Sequence, residues 1–467
     1  MGNISAFYTM PHPPIIIPEV GKGEEKKIQS TIDACLKVGE EVSVIKPDTV
    51  IIVTPHGPLF SDAVAISCED SIYGNLNNFR TPEVELDLEI DKKLTHEIIK
   101  YADNENISVA EINKYSAEKY GIKYELDHGS IIPLYFISKK YSGFKLVHIT
   151  YGMLSKIQLY KFGMCIRKAV IESDTNTVFI ASGDLSHRLT EDGPYPYSPC
   201  GKKFDTEIIE LLQKGDVRGV FNMDASTVEN AGECGLHSYY IMLGAMDGCD
   251  IKGELLSYEG PFGVGYGVMR FDVSKNSSKD TLTELIKENE KRYKDKIKNQ
   301  DIYVRLARES LTHYLMYGEY MDVPSYASDE MKKDKRGVFV SLKKSGNLRG
   351  CIGTILPAEG CIAQEIINNA VSAGEGDPRF SAVKEEELNE IDFSVDVLTK
   401  PEKCLKEDLN PRKYGVVVRK GTRCGLLLPN LEDVDTVEQQ LNIALKKGSI
   451  SPSEDYTIEK FEVIRHK

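Results

Sequence analysis

Four short histidine segments, each placed just after an apolar run, are the residues of this chain best suited to chemistry. They are centred on His12, His56, His128 and His187, and the whole chain has only nine histidines. A fifth segment, Ala231–His237, adds a carboxylate, a thiol and another imidazole. Neutral imidazoles with one carboxylate are the ligand set of a mononuclear metal site with open coordination positions. The first half of the chain therefore predicts a metal centre.

Two of these histidines lie in stiff loops. Prolines flank His12 on both sides, while Pro55 precedes His56 and a glycine follows it. Because proline fixes the backbone angle φ, these imidazoles have little freedom, and the pattern predicts that both bind one metal. If that metal also binds substrate and dioxygen, a carboxylate is the expected third ligand, and Glu233 is the candidate. Two alternatives stay open: Glu233 caps the following helix, or a Cys234 thiolate is the ligand and favours zinc or copper.

The remaining two segments are typical of proton transfer. The spacing of Asp184 and His187 within one turn offers a carboxylate that orients the imidazole and sets its tautomer. With a pKa near neutrality, His187 can take a proton from a phenolic hydroxyl and return it later, and His128 after Asp127 offers a second such group. The other histidines that we expect to be ordinary hydrogen-bonded residues are His96, His148, His313 and His466.

Apolar strands, turns and amphipathic helices alternate through residues 1–275. This order predicts an α/β domain with a buried central sheet flanked by helices, because β-branched runs without alternation are typical of strands covered on both faces. The predicted strands are Ala6–Thr9, Thr49–Val53, Lys145–Thr150, Thr177–Ala181 and Gly265–Val273, and the clearest helices are Lys26–Ile45 and Ser155–Ser173. His12, His56 and His187 each follow a predicted strand, at the sheet edge where open α/β sheets bind ligands.

Length and composition bound the class of protein. The 467 residues are too many for one core, so about two to four domains are expected. No run approaches the ~20 apolar residues of a membrane span, and the start shows no signal peptide. The net charge of −14 argues against a general nucleic-acid binder, which needs a positive surface. Ten cysteines without a CxxC pair predict neither a zinc finger nor a disulfide framework, and they indicate a reducing cytosol.

A polar, charged segment at residues 276–300 predicts a linker that runs into a solvated helix. Beyond it, residues 301–467 predict a separate α+β domain. The expected elements of that domain are helices Tyr303–Tyr317 and Ile362–Gly374 and strands Gly337–Lys343, Asp392–Leu398 and Gly415–Arg419.

A second group of residues suited to chemistry is the segment Leu348–Thr354. Its two glycines allow another backbone to approach closely, Arg349 can bind an anionic group through two hydrogen bonds, and Cys351 is a candidate nucleophile. The alternative is that the glycines serve packing and the thiol is a small buried hydrophobe. The residues alone favour that alternative, since the Lys-Ser or Lys-Thr of a Walker phosphate loop is missing.

The segments around five N-terminal residues carry a resemblance in their order and spacing; the residues are His12, His56, His128, His187 and Glu233. These segments resemble the LigB-type class III extradiol dioxygenase superfamily, which includes the Memo proteins. The resemblance covers the first predicted domain. It implies that His12, His56 and Glu233 bind ferrous iron and that His187 is the acid–base catalyst. The pair Cys234–Gly235 is similar instead to the Memo branch, in which a cysteine stands in the place of the carboxylate.

The segment Leu348–Thr354 is similar to the hallmark of the AMMECR domain family. Further pieces of the same pattern are Asp377–Phe380, Glu385–Leu398, Leu428–Pro429 and Lys446–Ile450. The resemblance covers the second predicted domain. It implies a shared cleft lined by Arg349, Cys351, Asp377 and Arg379.

Three functional hypotheses follow. The first is a non-haem Fe(II) oxidoreductase that opens the catechol-type ring of a small aromatic diol with dioxygen. The second is a Memo-like metal, redox or scaffold protein, with zinc or copper in place of iron. The third is a nucleotide- or RNA-modifying module around Arg349 and Cys351, which the acidic balance does not support.

The combination of the two domains also implies a partner. It resembles the AmmeMemoRadiSam set, whose usual third member is a radical-SAM protein. No CxxxCxxC iron–sulfur motif occurs in this chain, so that partner is expected to be a separate protein. No membrane partner is expected, and assembly into a homo-oligomer is left open.

Overall fold

The computed structural model describes residues 1–275, 280–298, 300–344, 346–384, 387–431 and 434–467. These residues form two compact units, Met1–Glu288 and Asn289–Lys467. Parts of two predicted segments lie outside the described residues. They are residues 276–279 and 299 of the linker and residues 385–386 of the second domain. Within the described part of the chain, no helix is long and apolar enough to cross a membrane.

The first unit alternates strands with helices. Its strands are β1 (Asn3–Met10), β2 (Thr49–Thr54), β3 (Val64–Ser67), β4 (Ser71–Leu76), β5 (Thr81–Glu89), β6 (Val109–Ile112), β7 (Lys145–Thr150), β8 (Asn176–Ser182), β9 (Cys249–Glu259) and β10 (Tyr266–Lys275). Its helices are α1 (Pro18–Gly21), α2 (Gln29–Ile45), α3 (Lys92–Asn104), α4 (Lys114–Tyr120), α5 (His128–Ser138), α6 (Lys156–Glu172), α7 (Pro199–Lys214), α8 (Val217–Asn222), α9 (Ala225–Ala231), α10 (Leu236–Ala245) and α11 (Thr281–Lys298), which continues into the second unit. Short 3-10 turns lie at Pro14–Ile16, Glu24–Ile28 and Asn77–Phe79.

One mixed sheet organises this unit, in the strand order β6-β3-β7-β2-β8-β1-β10-β9. The central strands β7, β2, β8 and β1 are parallel neighbours, and β10 and β9 continue the sheet in antiparallel pairing. Because β1, β8 and β2 are parallel and adjacent, their carboxyl ends lie at the same edge of the sheet.

The sheet is buried on both faces. Every residue of β2, whose sequence is TVIIVT, is buried. Ile51 and Val53 join a core that includes residues of α6 and α10, whereas Val50 and Ile52 join a core with residues of α2 and α5. Successive side chains of a strand point to opposite faces, so the non-alternating apolar run is what a sheet between two helical layers requires. The predicted α/β class is confirmed, and the predicted strands fall on β1, β2, β7, β8 and β10.

The charged helix α11 is not exposed on all sides. Leu285 is 1% exposed and belongs to the core of the first unit. Glu288 pairs with Arg218 of the same unit. The first half of the segment that the sequence predicts as a solvated helix is therefore docked on the first unit.

The second unit has an α+β arrangement, as predicted. Its strands are β11 (Val338–Lys344), β12 (Asn347–Gly353), β13 (Ile391–Leu398), β14 (Glu402–Lys403), β15 (Gly415–Lys420), β16 (Arg423–Leu427), β17 (Thr457–Phe461) and β18 (Val463–His466). Its helices are α12 (Ile302–Tyr317), α13 (Asp329–Lys333), α14 (Ile362–Glu375) and α15 (Val437–Lys447), with a 3-10 turn at Lys406–Asp408. The strands form two sheets, β12-β11-β13-β18 and β14-β17-β15-β16.

Candidate metal centre

The candidate site lies at the sheet edge where β1, β8 and β2 end. The loop after β1 carries His12, the loop after β2 carries His56, and the loop after β8 carries His187. His128 is the first residue of α5, and Asp127 caps that helix. His12, His56 and His187 are far apart in the sequence, but they lie at one edge because the strands that precede them are neighbours in the sheet.

Three imidazoles converge at this edge. The ligand atoms of His12, His56 and His128 all lie within 4.8 Å of one another, and the described residues contain no other such group of three His, Cys, Asp or Glu side chains. The Nε2 atoms of His12 and His56 are 3.0 Å apart. The rings of His56 and His128 stack with centroids 4.3 Å apart. The sequence pattern predicts His128 as a proton-transfer group, but the structure places it beside the two predicted ligands.

The hydrogen bonds of Ser182 define the tautomer of His12. The hydroxyl of Ser182, at the end of β8, donates to the carbonyl oxygen of Gly129 at 2.5 Å. A serine hydroxyl has a single proton, so the same oxygen must accept from Nδ1–H of His12, which lies 2.9 Å away. The lone pair of His12 is then on Nε2, the atom that faces His56.

Desolvation keeps these imidazoles neutral, although only His12 is fully buried and His56 is exposed. Desolvation, reinforced by the neighbouring His56 and His128, lowers the pKa of His12 well below its ordinary value. Desolvation likewise lowers the pKa of His56, and desolvation with the nearby His56 lowers the pKa of His128 to about 4. A neutral imidazole is the form that binds a metal, so the three rings are ready ligands at neutral pH.

The spacing of His12 and His56 fits two ligands of one transition-metal ion. Two nitrogen ligands about 2.1 Å from an ion and at right angles to each other are about 3.0 Å apart. The Nε2 atoms of His12 and His56 have that separation, 3.0 Å. Imidazole suits zinc, copper, iron and nickel, so the histidines by themselves do not select the metal.

Glu233 lies outside this group of ligand atoms. Its carboxylate accepts the backbone N–H of Leu236 at 2.6 Å, at the start of α10. Burial raises the pKa of Glu233 to about 7. The helix-capping alternative is therefore the contact that the structure shows, and the role of Glu233 as third ligand stays a prediction.

Cys234 approaches the imidazoles more closely. Its Sγ lies 3.6 Å from Nε2 of His12, and the backbone N–H of Asp184 donates to the same sulfur at 3.3 Å. Burial, with the charges of Asp184 and Glu233, raises the pKa of the thiol well above its ordinary value. The thiol is thus protonated at neutral pH unless a metal displaces its proton.

The carboxylate of Asp184 contacts His12 and not His187 among the described residues. This corrects the expectation, drawn from the spacing of Asp184 and His187, that Asp184 orients the His187 imidazole. One carboxylate oxygen accepts the backbone N–H of His12 at 2.8 Å, and the other lies 4.0 Å from Nε2 of His12. Burial raises the pKa of Asp184 to about 7. The turn geometry after β8 brings this carboxylate back over the end of β1, which the sequence spacing does not reveal.

Aromatic rings lie beside the histidines on two sides. The ring of His187 stacks on Tyr195 with centroids 5.4 Å apart, and Phe79 meets His128 edge to face at 5.3 Å. Burial, with the nearby His56, lowers the pKa of His187 to about 4. His187 is therefore neutral at neutral pH but a weaker base than the near-neutral pKa expected from the sequence would make it, and its catalytic role stays a prediction.

In the second unit, three of the four residues predicted to share a cleft are in contact. A carboxylate oxygen of Asp377 accepts the backbone N–H of Cys351 at 2.9 Å. The same carboxylate pairs with the guanidinium of Arg379 at 2.7 Å, and that guanidinium also donates to the carbonyl of Cys351 at 3.2 Å. Asp377 thus joins β12 to the loop that follows α14.

Arg349 is bound inside the second unit. Glu387 accepts two of its hydrogen bonds, at 3.2 and 2.9 Å, and the carbonyls of Ser381 and Ala382 accept two more. A Cβ on Gly350 would lie 2.1 Å from the carbonyl oxygen of Ala373 in α14. The segment is itself a strand, β12, and these contacts favour the packing interpretation of its glycine and arginine.

Comparisons with known proteins match both units. Residues 6–269 match the family described as the catalytic LigB subunit of aromatic ring-opening dioxygenase, and residues 304–466 match AMMECR1. A protein of Clostridium acetobutylicum is 53% identical over 466 residues, covering 100% of this chain and 99% of that protein. A protein of Thermotoga maritima is 45% identical over 168 residues, covering 35% of this chain and 97% of its own. The crystal structure of an uncharacterized protein from Pyrococcus horikoshii shares 31% identity over 36% of this chain and 89% of its own, with a TM-score of 0.32.

Proposed function

Because the chain belongs to the LigB family of aromatic ring-opening dioxygenase subunits through residues 6–269, with an AMMECR1 domain at residues 304–466, we propose that its first unit is a metal-dependent oxidoreductase. The proposed reaction opens the catechol-type ring of a small aromatic diol with dioxygen, and the proposed metal is iron(II). The observation that carries the proposal is the convergence of His12, His56 and His128, whose ligand atoms lie within 4.8 Å.

His12, His56 and His128 would hold the metal. A bound iron(II) supplies the redox-active centre at which a diol and dioxygen can react. The chain supplies three neutral donors, since desolvation lowers the pKa of each imidazole. Ser182 keeps Nε2 of His12 turned toward the site through its bond to Nδ1.

His187 is the proposed proton acceptor for a hydroxyl of the diol. Its lowered pKa, about 4, leaves the ring neutral at neutral pH but makes it a weak base, so the transfer requires that the negative charge developing on the diol raise this pKa. The neutral ring takes a phenolic proton when the diol binds and returns it to the ring-opened product. Tyr195, stacked on this ring, restrains its orientation, and the aromatic faces of Tyr195 and Phe79 suit a flat substrate.

Turnover of catechols by protein loaded with iron(II) under anaerobic conditions tests this function. We expect ring-opened product, followed by its visible absorbance after dioxygen is admitted, from at least one member of a catechol panel. His187→Gln is expected to lower kcat by about 10²- to 10⁴-fold, the usual contribution of a general base, while iron binding is unchanged. His96→Gln alters an exposed histidine and is the matched control. No ring opening by the iron-loaded wild type would contradict the proposal.

A second function is favoured by the position of Cys234. Its Sγ lies 3.6 Å from Nε2 of His12, and a thiolate ligand selects zinc or copper over iron. The first unit would then be a Memo-like metal or redox protein that does not cleave rings and works with a separate radical-SAM partner. Cys234→Ser separates the two functions: it should weaken zinc binding more than tenfold if the sulfur is a ligand, and leave it unchanged if the three imidazoles suffice.

A further inference from the structure

His148 is a buried histidine to which the sequence assigns no special role. It lies on β7 and is 2% exposed. Its Nδ1 is 2.9 Å from the hydroxyl of Ser67, and its Nε2 is 2.9 Å from the hydroxyl of Ser130 and 3.3 Å from Oδ2 of Asp127. Both ring nitrogens are engaged, so His148 is not itself a candidate ligand.

The proton on His148 can be placed from its neighbours. The hydroxyl of Ser130 donates to Oδ2 of Asp127 at 3.0 Å. Because that hydroxyl has no second proton, it must accept from His148, and the Nε2 of His148 is the donor. The same N–H points between Ser130 and the carboxylate of Asp127. A buried donor therefore faces a buried carboxylate.

Asp127 connects this donor to two of the converging imidazoles. It caps α5, whose first residue is His128. Its Oδ1 also accepts the hydroxyl of Thr54, the last residue of β2, at 2.6 Å. The hydroxyl oxygen of Thr54 in turn accepts the backbone N–H of His56 at 3.3 Å. One carboxylate thus ties together the two segments that carry His56 and His128.

The packing around this carboxylate leaves little room for it to shift. A Cβ on Gly129 would lie 2.5 Å from Oγ1 of Thr54, 2.8 Å from Oδ1 of Asp127 and 3.3 Å from Cδ2 of His56. The backbone at Gly129 therefore lies close to all three groups, and a close-packed interior transmits displacements. A displacement of Asp127 is therefore transmitted to the segments of both imidazoles.

We propose that His148 is a positioning residue of the metal centre, which acts by holding Asp127 in the place that aligns His56 and His128. This inference rests on the metal binding proposed above. Partners that orient metal ligands through hydrogen bonds typically contribute about 10- to 100-fold in metal affinity. Here the carboxylate orients the ligand-bearing segments, and His148 fixes the carboxylate.

Two substitutions of His148 distinguish its role as a hydrogen-bond donor from a role in filling space. His148→Gln keeps an amide N–H near the place of Nε2, whereas His148→Leu fills similar space without a donor. With Co²⁺ as the probe, we expect the leucine variant to bind about 10- to 100-fold more weakly than the wild type. The glutamine variant should stay within a few-fold of the wild type. The visible Co²⁺ spectrum, which reports ligand geometry, should change in the leucine variant and be retained in the glutamine variant.

The control is His466→Leu, which removes the histidine of another histidine–aspartate pair, His466 with Asp301 at 3.1 Å in the second unit. It should bind Co²⁺ as the wild type does.

Equal affinity in the wild type and His148→Leu, or equal weakening in both His148 variants, overturns the positioning role while the proposed metal function stands. If the wild type binds no Co²⁺, both proposals fall. Circular dichroism of the metal-free variants checks folding, and His148→Asn, whose shorter amide does not reach Asp127, replaces the leucine variant if that chain does not fold.

Discussion

The chemistry of the site is decided residue by residue, by where each proton resides. Burial lowers the pKa of His128 to about 4 and raises that of the Cys234 thiol well above its ordinary value. Imidazoles that are already neutral release no proton when they bind a metal, but a thiol must lose one. The two candidate ligand sets therefore differ in how metal affinity depends on pH.

The pH dependence of zinc affinity distinguishes them. With His12, His56 and His128 as ligands, protons do not compete for the site above neutrality, and zinc affinity should change less than about threefold between about pH 7 and pH 8.5. If Cys234 binds as a thiolate, each rise of one pH unit should increase affinity about tenfold, because its proton is displaced. Titration calorimetry at several pH values measures this slope. A tenfold slope would rule against a site made of imidazoles alone.

Among single residues, the sequence reveals the types of group present but not their contacts. The proline-flanked His12 and His56 could be identified as a pair from their local segments. Ser182, which sets the tautomer of His12, could not, since the two residues are 170 positions apart and meet only because β8 lies beside β1. Glu233 and Cys234 are adjacent in sequence, so the sequence does not show which of them approaches His12. The geometry of the turn before α10 decides this: the carboxylate of Glu233 caps the helix, and the sulfur of Cys234 lies near His12.

At the scale of elements, two loops touch backbone to backbone at the edge of the site. Cys234 donates its N–H to the carbonyl of Asp184 at 3.3 Å, which joins the loop after β8 to the turn before α10. A Cβ on Gly183 would lie 2.1 Å from the Cα of Gly235. The close approach that places Cys234 beside His12 therefore requires glycine at position 183.

Gly183→Ala should lower the free energy of unfolding by about 1–3 kcal/mol, because the methyl group forces the two loops apart. Urea denaturation of the metal-free protein measures this change. Gly360→Ala is the matched control, since a Cβ there would have no atom within 4 Å. If both variants unfold at the same urea concentration, the loops are not held as described.

The elements themselves could be predicted because their signals are local. The apolar run TVIIVT predicts the buried strand β2. Ser155 begins a capping box that predicts the start of α6, and it caps that helix in the structure. Strand β12 is not among the strands that the sequence predicts, although it contains most of the segment Leu348–Thr354. Its pairing with β11 and the fit of Gly350 against α14 depend on residues outside the segment.

At the scale of the whole molecule, the chain carries two units with separate cores. The proposed metal centre belongs to the first unit. In the second unit, the side chain of Arg349 is 13% exposed, and its guanidinium pairs with Glu387. We therefore expect Arg349 to stabilise the second unit and to make no contribution to metal binding by the first.

Arg349→Ala should reduce the stability of the second unit by about 1–3 kcal/mol, because Glu387 is left without its main partner. Metal affinity of the first unit should be unchanged. Thermal unfolding and zinc titration of the full chain provide the two readouts. Arg412→Ala, which breaks an exposed pair with Asp435, is the control and should cost less than about 1 kcal/mol. A variant at Arg349 that unfolds like this control would contradict the structural role.

The central claim is that His12, His56 and His128 form one metal site. Its most direct test is the iron content of the full chain after anaerobic loading with iron(II) and removal of unbound metal. We expect one iron per chain in the wild type, and less than about a tenth of that in the triple variant His12→Ala, His56→Ala, His128→Ala, since removing ligands weakens binding by far more than the loss of an orienting partner. A wild type that retains no metal, or a triple variant that retains as much as the wild type, would contradict the account.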